Sequence, residues 1–222
     1  MMYSIAIDGP AGAGKSTIAK GLASRLGFTY VDTGAMYRAI ACWALDQGIK
    51  LEDEETVSAR IDEVIISIDY KNGIQQVFLN DENITKRLRE EEVGKGASIV
   101  SKYACVRDKL VELQQKIAKE KSVIMDGRDI GTRVLQDAFL KVFMTADANV
   151  RAKRRFDELC LKDDDCDYNT ILKDIKDRDF ADENRAISPL RPAADAVIVD
   201  TSSLSEDEVI EKIYGLFNSR VK

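Results

Sequence analysis

The amino-acid sequence predicts an α/β fold in which a parallel sheet is flanked by helices. Three observations predict this fold class. Short apolar runs alternate with segments of helical periodicity near both ends of the chain. A glycine-rich turn joins the first apolar run to the first helical segment. The chain, at 222 residues, is long enough to bury a sizeable core without disulfides or structural metals.

Five apolar runs predict the strands of the sheet. They lie at Tyr3–Ile7, Phe28–Val31, Ser122–Met125, Leu140–Thr145 and Ala196–Val199. The spacing of Ile, Leu and Ala predicts a first helix that ends at Gly27 and a second that runs from Thr33 to about Gln47. The last helix is predicted over Glu206–Asn218.

A predicted β-hairpin interrupts this order in the middle of the chain. Two strand-like runs, Ile65–Tyr70 and Ile74–Leu79, flank Lys71 and the pair Asn72-Gly73. Asn-Gly between such runs is the strongest short signal for a hairpin turn. Apolar and polar residues alternate along the first run, which predicts that one face of the hairpin is half-buried.

Charged segments of helical character lie on both sides of the hairpin. The first spans Glu52–Val64, and the second spans Thr85–Lys119 and divides into two helices near Lys102. We interpret residues 52–119 as a domain inserted into the α/β core, which then comprises residues 1–51 and 120–222.

The glycine-rich turn matches the pattern Gly-x-x-x-x-Gly-Lys-Ser/Thr. In such a loop the backbone amides surround phosphate oxygens at the start of a helix. Lys15 can reach the β and γ phosphates, and the Ser16 hydroxyl can ligate Mg²⁺. The motif predicts a P-loop NTPase fold whose ATP-binding residues are Gly9, Pro10, Ala11, Gly12, Ala13, Gly14, Lys15, Ser16 and Thr17.

Composition excludes several classes of function. The chain has no histidine, which excludes a His-containing triad, a His-ligated metal and a His general base. A net charge of −6 argues against nonspecific binding to DNA or anionic membranes. The sequence has no apolar run of about 18 residues and no secretory leader, so we expect a cytoplasmic protein. No guanine-reading Asn-Lys-x-Asp is present, which argues against a GTPase switch.

Arginines near predicted strand ends favour a kinase with a phosphorylated acceptor. Arg38 and Arg128 follow the second and third strands, at the edge where the phosphate loop also lies. Two phosphates in one site require cationic groups between them, and arginine binds phosphate bidentately. Asp126 and Asp129 are both candidates to hold Mg²⁺, directly or through water, and the sequence does not rank them. Three further arginines share one helical segment, where a solvated surface is the alternative: Arg151, Arg154 and Arg155.

The sequence resembles the bacterial-type cytidylate kinase family over essentially its whole length. The resemblance is carried by Ile7-Asp8-Gly9-Pro10, Asp32–Arg38, Asp126–Thr132, Asn184-Arg185-Ala186 and Pro189-Leu190. It implies transfer of the γ-phosphoryl group of ATP to CMP or dCMP, with Mg²⁺ as cofactor. It also implies a monophosphate-binding domain, a helical lid at about residues 147–186 and a monomer.

The resemblance further implies a role for each matching residue. Ser98, Arg107 and Asp129 would bind cytosine, and Arg178 and Asp182 the ribose. Arg38, Arg128 and Arg185 would bind the acceptor phosphate. Thr33 stands where many members have Ser and is expected with Tyr37 in the CMP site. Catalysis would depend on Lys15, Arg128 and the lid arginines Arg151, Arg154 and Arg155.

Three alternatives remain open on the sequence alone. The chain could be a kinase of the same fold for another monophosphate or for a polyol. It could be a regulatory module that binds ATP without transferring a phosphoryl group, although Arg38 and Arg128 argue against this. A nucleic-acid-binding protein is the third, disfavoured by the net charge and by the absence of an aromatic and basic surface motif.

Overall fold

The structure is a computed structural model, and it describes residues 2–160 and 166–221. Its strands are β1 (Ser4–Asp8), β2 (Thr29–Asp32), β3 (Ile66–Lys71), β4 (Ile74–Leu79), β5 (Glu82–Asn83), β6 (Val123–Gly127), β7 (Leu140–Thr145) and β8 (Val197–Asp200). Its α-helices are α1 (Lys15–Leu26), α2 (Thr33–Asp46), α3 (Glu54–Arg60), α4 (Glu91–Val100), α5 (Ala104–Glu120), α6 (Ala148–Cys160), α7 (Tyr168–Asn184) and α8 (Glu206–Arg220).

The main sheet has five strands in the order β2-β6-β1-β7-β8. This confirms the predicted five-stranded sheet and its α/β class. β1 pairs in parallel with β6 and β7, and β7 pairs in parallel with β8. The side chains of Ile5 and Ile7 in β1 are fully buried, as expected for a central strand covered on both faces.

The chain divides into two compact units. Unit 1 comprises Met1–Phe28 and Ser122–Lys222, and unit 2 comprises Thr29–Lys121. The second unit begins before residue 52 because α2 packs closely against α4. These two units are defined by packing. The domains predicted from the sequence are defined by function, and the bounds of those domains stay predictions.

Unit 1 contains the elements that carry the glycine-rich turn. β1 ends at Asp8, the turn follows, and α1 starts at Lys15 with its apolar side chains buried. α1 ends at Gly27, as predicted. Later in the unit, α6 and α7 pack against each other at the positions predicted for a helical lid. The acidic run at residues 163–165 lies outside the described residues.

Unit 2 contains the predicted hairpin. β3 and β4 pair antiparallel with Lys71 opposite Ile74, so Asn72 and Gly73 form a two-residue turn. Both turn residues have positive φ (53° and 75°), which Asn and Gly tolerate best and which a type I′ turn requires. The predicted alternation is also present, because exposed residues alternate with buried or half-buried ones along β3. A third strand, β5, was not predicted because two residues carry no periodic pattern.

The helices of unit 2 differ from prediction at two places: α3 covers only Glu54–Arg60 of the predicted segment Glu52–Val64, and α4 starts late. α4 begins at Glu91 rather than near Thr85. The Thr85 hydroxyl accepts a hydrogen bond from the Val77 amide, and the Thr85 amide donates to the Asn83 side chain. These bonds tie Thr85 to the hairpin and prevent it from starting a helix. The break between α4 and α5 spans residues 101–103 and confirms the predicted break near Lys102.

Among the described helices, none is both long and apolar enough to cross a membrane.

Candidate active site

The phosphate loop connects β1 to α1 in a conformation that depends on glycine. A Cβ atom on Gly9 would lie 2.0 Å from the carbonyl oxygen of Met144, so no larger residue fits there. Gly12 and Gly14 have φ of 75° and 83°, in the left-handed region that favours glycine. Gly14 caps α1, so the helix N-terminus with its partial positive charge follows the loop directly. This geometry is that of an anion-binding loop.

Lys15 is buried at the first position of α1. Its Nζ donates a hydrogen bond to the carbonyl oxygen of Pro10 at 2.7 Å. Burial lowers the pKa of this ammonium group well below its usual value, and the positive charge of Arg128 lowers it further. Asp126 and Asp8 act in the opposite direction. Lys15 is therefore a cation placed in the loop at an energetic cost, as expected where a phosphate is to be bound.

Ser16 and Asp126 meet directly. The Ser16 hydroxyl donates to Oδ2 of Asp126 at 2.7 Å, and Asp126 is only 5% exposed at the carboxyl end of β6. This hydrogen bond places the Asp126 carboxylate beside the Ser16 hydroxyl.

A hydroxyl and a carboxylate oxygen side by side suit Mg²⁺, which prefers hard oxygen ligands. The described residues hold no cluster of three or more His, Cys, Asp or Glu side chains suited to a metal. Mg²⁺ bound with a nucleotide usually takes one or two protein oxygens, and phosphates and water complete its shell. The donor set at Ser16 and Asp126 therefore fits magnesium bound with a nucleotide.

Asp8 is a buried carboxylate next to the loop, and no sequence motif assigned it a role. It is 4% exposed and accepts hydrogen bonds from the amides of Ile130 (2.8 Å) and Gly131 (2.7 Å). Burial raises its pKa to about 6, although the two amide bonds act against this rise. Asp8 thus connects the end of β1 to the segment that follows β6.

Two arginines and two carboxylates, from the segment after β6 and from the end of α7, form a network of ion pairs. Nε of Arg128 donates to Oδ2 of Asp182 at 2.8 Å. Arg185 lies 3.9 Å from both Asp182 and Asp129, and its Nε donates to the Ser188 carbonyl. Four of the residues predicted to bind CMP therefore form one charged cluster within unit 1. Arg185 lies just outside α7, which ends at Asn184, and Arg178 is exposed on that helix.

The three predicted lid arginines have different environments. Arg151 is 5% exposed, donates to the carbonyls of Ala146 (2.9 Å) and Ala11 (3.1 Å), and pairs bidentately with Asp179 (3.0 and 2.6 Å). It therefore links α6 to the phosphate loop and to α7. Arg154 donates to the carbonyl of Thr201 at 2.6 Å. Arg155 is exposed and pairs with a glutamate on its own helix.

Unit 2 holds the remaining predicted site residues. Nη2 of Arg38 donates to Oδ2 of Asp32 at 2.9 Å, and Asp32 also caps α2 by accepting from the Ala35 amide. Arg107 is 2% exposed; its guanidinium lies 5.6 Å from the ring centre of Tyr37, and its Nη1 donates to the Ser101 carbonyl at 2.9 Å. The other two predicted residues are placed as follows: Thr33 is buried at the start of α2, and Ser98 is half-buried in α4.

Comparison with known proteins identifies the family. A family model described as cytidylate kinase matches residues 5–219. The cytidylate kinase of Caldicellulosiruptor bescii is 51% identical over 219 residues, covering 99% of this chain and 97% of the relative. That of Desulfitobacterium hafniense is 47% identical over 218 residues, covering 98% and 94%. The chain belongs to the cytidylate kinase family.

A solved structure supports the fold independently. A shikimate kinase from Bacteroides thetaiotaomicron matches with a TM-score of 0.51 at 13% identity, covering 98% of this chain and 99% of that chain. At such low identity the likeness shows the fold alone, which is that of a P-loop kinase. Membership of the cytidylate kinase family makes this chain an enzyme, a nucleoside monophosphate kinase.

Two carboxylates near the phosphate loop were not predicted from the sequence. Asp8 carried a local signal, since it directly precedes Gly9 at the end of an apolar strand. Asp179 carried none, because its partner Arg151 is 28 residues away and the pairing depends on how α6 packs against α7.

Proposed function

We propose that the residues described above bind ATP and a cytidine monophosphate, and that the chain transfers the γ-phosphoryl group of ATP to CMP or dCMP. The products are ADP and CDP or dCDP. The observation that carries the proposal is the phosphate loop with its buried Lys15 and its Ser16–Asp126 contact, in a chain that matches the cytidylate kinase model over residues 5–219.

ATP binds with its phosphates on the loop from Gly9 to Thr17. The amides of the loop and the N-terminus of α1 bind phosphate oxygens, and Lys15 exchanges its bond to Pro10 for the β and γ phosphates. Ser16 and Asp126 would hold Mg²⁺, Asp126 directly or through water. When bound, this cofactor neutralises part of the phosphate charge.

The acceptor nucleotide is bound by the residues that the family resemblance assigns to its phosphate and to its ribose. Arg38, Arg128 and Arg185 bind its phosphate. Arg178 and Asp182 bind the ribose hydroxyls, for which an ionised carboxylate is a suitable acceptor. Thr33 and Tyr37 complete the site.

Specificity for cytosine follows from hydrogen-bond complementarity. The exocyclic amine of cytosine is a donor, and the Asp129 carboxylate can accept from it. The ring nitrogen N3 and the carbonyl O2 are acceptors, to which Arg107 and Ser98 can donate. Uracil reverses part of this pattern and would leave buried groups unpaired, which can discriminate strongly between substrates.

The reaction requires alignment and charge neutralisation more than acid–base chemistry. The acceptor phosphate is already an anion, so no strong general base is needed, which agrees with the absence of histidine. Arg128 neutralises charge at the acceptor, and Arg151, Arg154 and Arg155 act from the lid. Closure of the lid excludes water and limits hydrolysis of ATP. The proposal further takes the chain to act as a cytoplasmic monomer without nucleic-acid or membrane partners.

A parallel acceptor screen tests the proposed function. ADP release would be measured with ATP, Mg²⁺ and each of CMP, dCMP, UMP, AMP and shikimate. We expect CMP and dCMP to give the highest kcat/KM. If AMP or shikimate gave more ADP than CMP, the assigned substrate would be wrong. ADP release that no acceptor increases would instead favour a module that binds ATP without transferring its phosphoryl group.

A further inference from the structure

Asp8 makes a two-pronged contact with the chain beyond β6. Its Oδ1 accepts from the amide of Ile130 at 2.8 Å, and its Oδ2 accepts from the amide of Gly131 at 2.7 Å. Each carboxylate oxygen therefore takes one of two successive amides. Such a bidentate contact restrains both the position and the orientation of the backbone that donates to it.

The two amides belong to a segment with irregular geometry. Ile130–Val134 forms a single π-helical turn, a rare conformation that occurs often at functional sites. The fit around Asp8 is close, since a Cβ on Gly131 would lie 3.4 Å from Oδ2 of Asp8 and 3.2 Å from Cδ of Lys141. Arg128 and Asp129 directly precede this turn, and the contact with Asp8 holds its first two residues.

Fold stability does not account for an ionised carboxylate at this position. Burial raises the pKa of Asp8 to about 6, and Asp129 raises it too, while the two amides and Lys15 lower it. A raised pKa means that the folded state disfavours the charged form relative to the unfolded chain. The stabilisation from this group is present below its unfolded pKa and is lost as pH rises through the folded value. At neutral pH the charge is therefore a net cost to the fold.

We propose that Asp8 is a positioning residue that holds Arg128 and Asp129 in place and thereby contributes to discrimination between CMP and UMP. This rests on the proposed function, in which Asp129 accepts from the cytosine amine. Asp8 does not itself contact the nucleotide in this proposal. It acts through the backbone of the turn, while the next residue along the chain, Gly9, starts the phosphate loop.

The substitution Asp8→Asn tests the inference with little change of shape. The Asn amide can accept at only one of the two backbone N–H groups and presents its own donor to the other. We expect kcat/KM for CMP to fall about 10²-fold, the scale of a small misplacement of reacting groups. The ratio of kcat/KM for CMP over UMP should fall about tenfold, the scale of one misplaced hydrogen bond. KM for ATP should change little.

A second variant and a control separate positioning from stability. Gly131→Ala keeps the Asp8 charge but crowds the same contact, so we expect the same ratio to fall by a smaller factor. Ser205→Ala removes the side-chain cap of α8 in the same unit. It should lower the melting temperature without changing the CMP to UMP ratio.

The outcomes distinguish this inference from the proposed function. Asp129→Ala should reduce the CMP to UMP ratio, and a ratio unchanged by that variant would refute the cytosine assignment. A ratio that falls in Asp129→Ala but not in Asp8→Asn or Gly131→Ala would overturn the positioning role alone. A rise in KM for ATP with an unchanged ratio would also overturn it, because Asp8 would then act through Lys15.

Discussion

Several charged side chains of unit 1 are buried around the phosphate loop, whereas several ion pairs of unit 2 lie at the surface. In unit 1, Lys15, Asp126 and Arg151 are each at most 6% exposed. In unit 2, the paired side chains of Arg87 and Asp46 are 35% and 41% exposed. Arg107 is the exception in unit 2, since it is 2% exposed and is also one of the predicted cytosine-binding residues.

The difference separates charges that we propose to bind substrate from charges that lie at the surface. Removing an ion from water costs several kcal/mol, and interactions inside the protein must offset that cost. A buried charge therefore persists where something other than stability requires it. An exposed pair costs little and contributes about 0–1 kcal/mol. Buried charges of the candidate site thus occur in both units, although the net charge of −6 argued against anionic ligands.

The largest effect is expected for Lys15→Ala. Loss of the cation that faces the phosphates should reduce kcat about 10³-fold, the upper range for removal of one transition-state donor. The fold should persist, because burial already disfavours the charged form of Lys15 and lowers its pKa. ADP release with CMP and a urea titration would measure the two effects. Lys20→Ala, exposed on the same helix, is the control. Turnover within tenfold of the parent would contradict the role of Lys15.

A smaller effect is expected for Arg151→Lys. Lysine keeps the charge but cannot bind Asp179 bidentately while also donating to the Ala11 and Ala146 carbonyls. Because Ala11 belongs to the phosphate loop, we expect KM for ATP to rise about tenfold, the equivalent of roughly one charge-assisted hydrogen bond. The melting temperature should fall in the same variant. The control is Lys153→Gln, whose exposed pair with Asp157 lies on the same helix.

A fall in kcat with unchanged stability and unchanged KM for ATP would argue against a role for Arg151 in ATP binding. Arg151 would then act in phosphoryl transfer alone, as the sequence predicted for the lid arginines. In that case the contacts of Arg151 with Ala11 and Asp179 would not persist during the reaction.

The fold was predictable where the signal is local. β1, the loop and α1 follow from a short apolar run, a glycine pattern and helical spacing, and the hairpin follows from Asn72-Gly73. The start of α4 was not predictable, because Thr85 is tied to a strand by side-chain bonds. Nor was the end of α7 at Asn184, since Arg185 turns away to contact the carbonyl of Ser188.

The site was predictable in its residue types but only partly in its contacts. Motifs identified Ser16 and Asp126 as candidates, but the hydrogen bond between them is visible only in the structure. The partners of Asp8 and Asp126 are more than 100 positions away in the sequence. Such contacts depend on which strands lie next to each other, and no local pattern encodes them.

The smallest effect is expected for the surface pair of Arg87 and Asp46 in unit 2. The hydrogen bond from Arg87 lowers the pKa of Asp46, although burial acts against it. A lowered pKa gives stability that is present above the unfolded value and is lost as pH falls through the folded value. We expect Arg87→Gln to cost about 0–1 kcal/mol at neutral pH, since solvent and salt screen this exposed pair.

Urea unfolding of Arg87→Gln and the parent at a series of pH values would measure this cost. The difference between the two proteins should shrink as pH falls below about 4, the usual pKa of an aspartate. It should also shrink at about 1 M salt, where screening is strong. Kinetic constants for CMP and ATP should not change. Arg60→Gln, which breaks the exposed pair with Glu63, is the matched control. A loss above about 3 kcal/mol, the range of a broken buried pair, would remove the distinction between the buried charges of unit 1 and the surface pairs of unit 2.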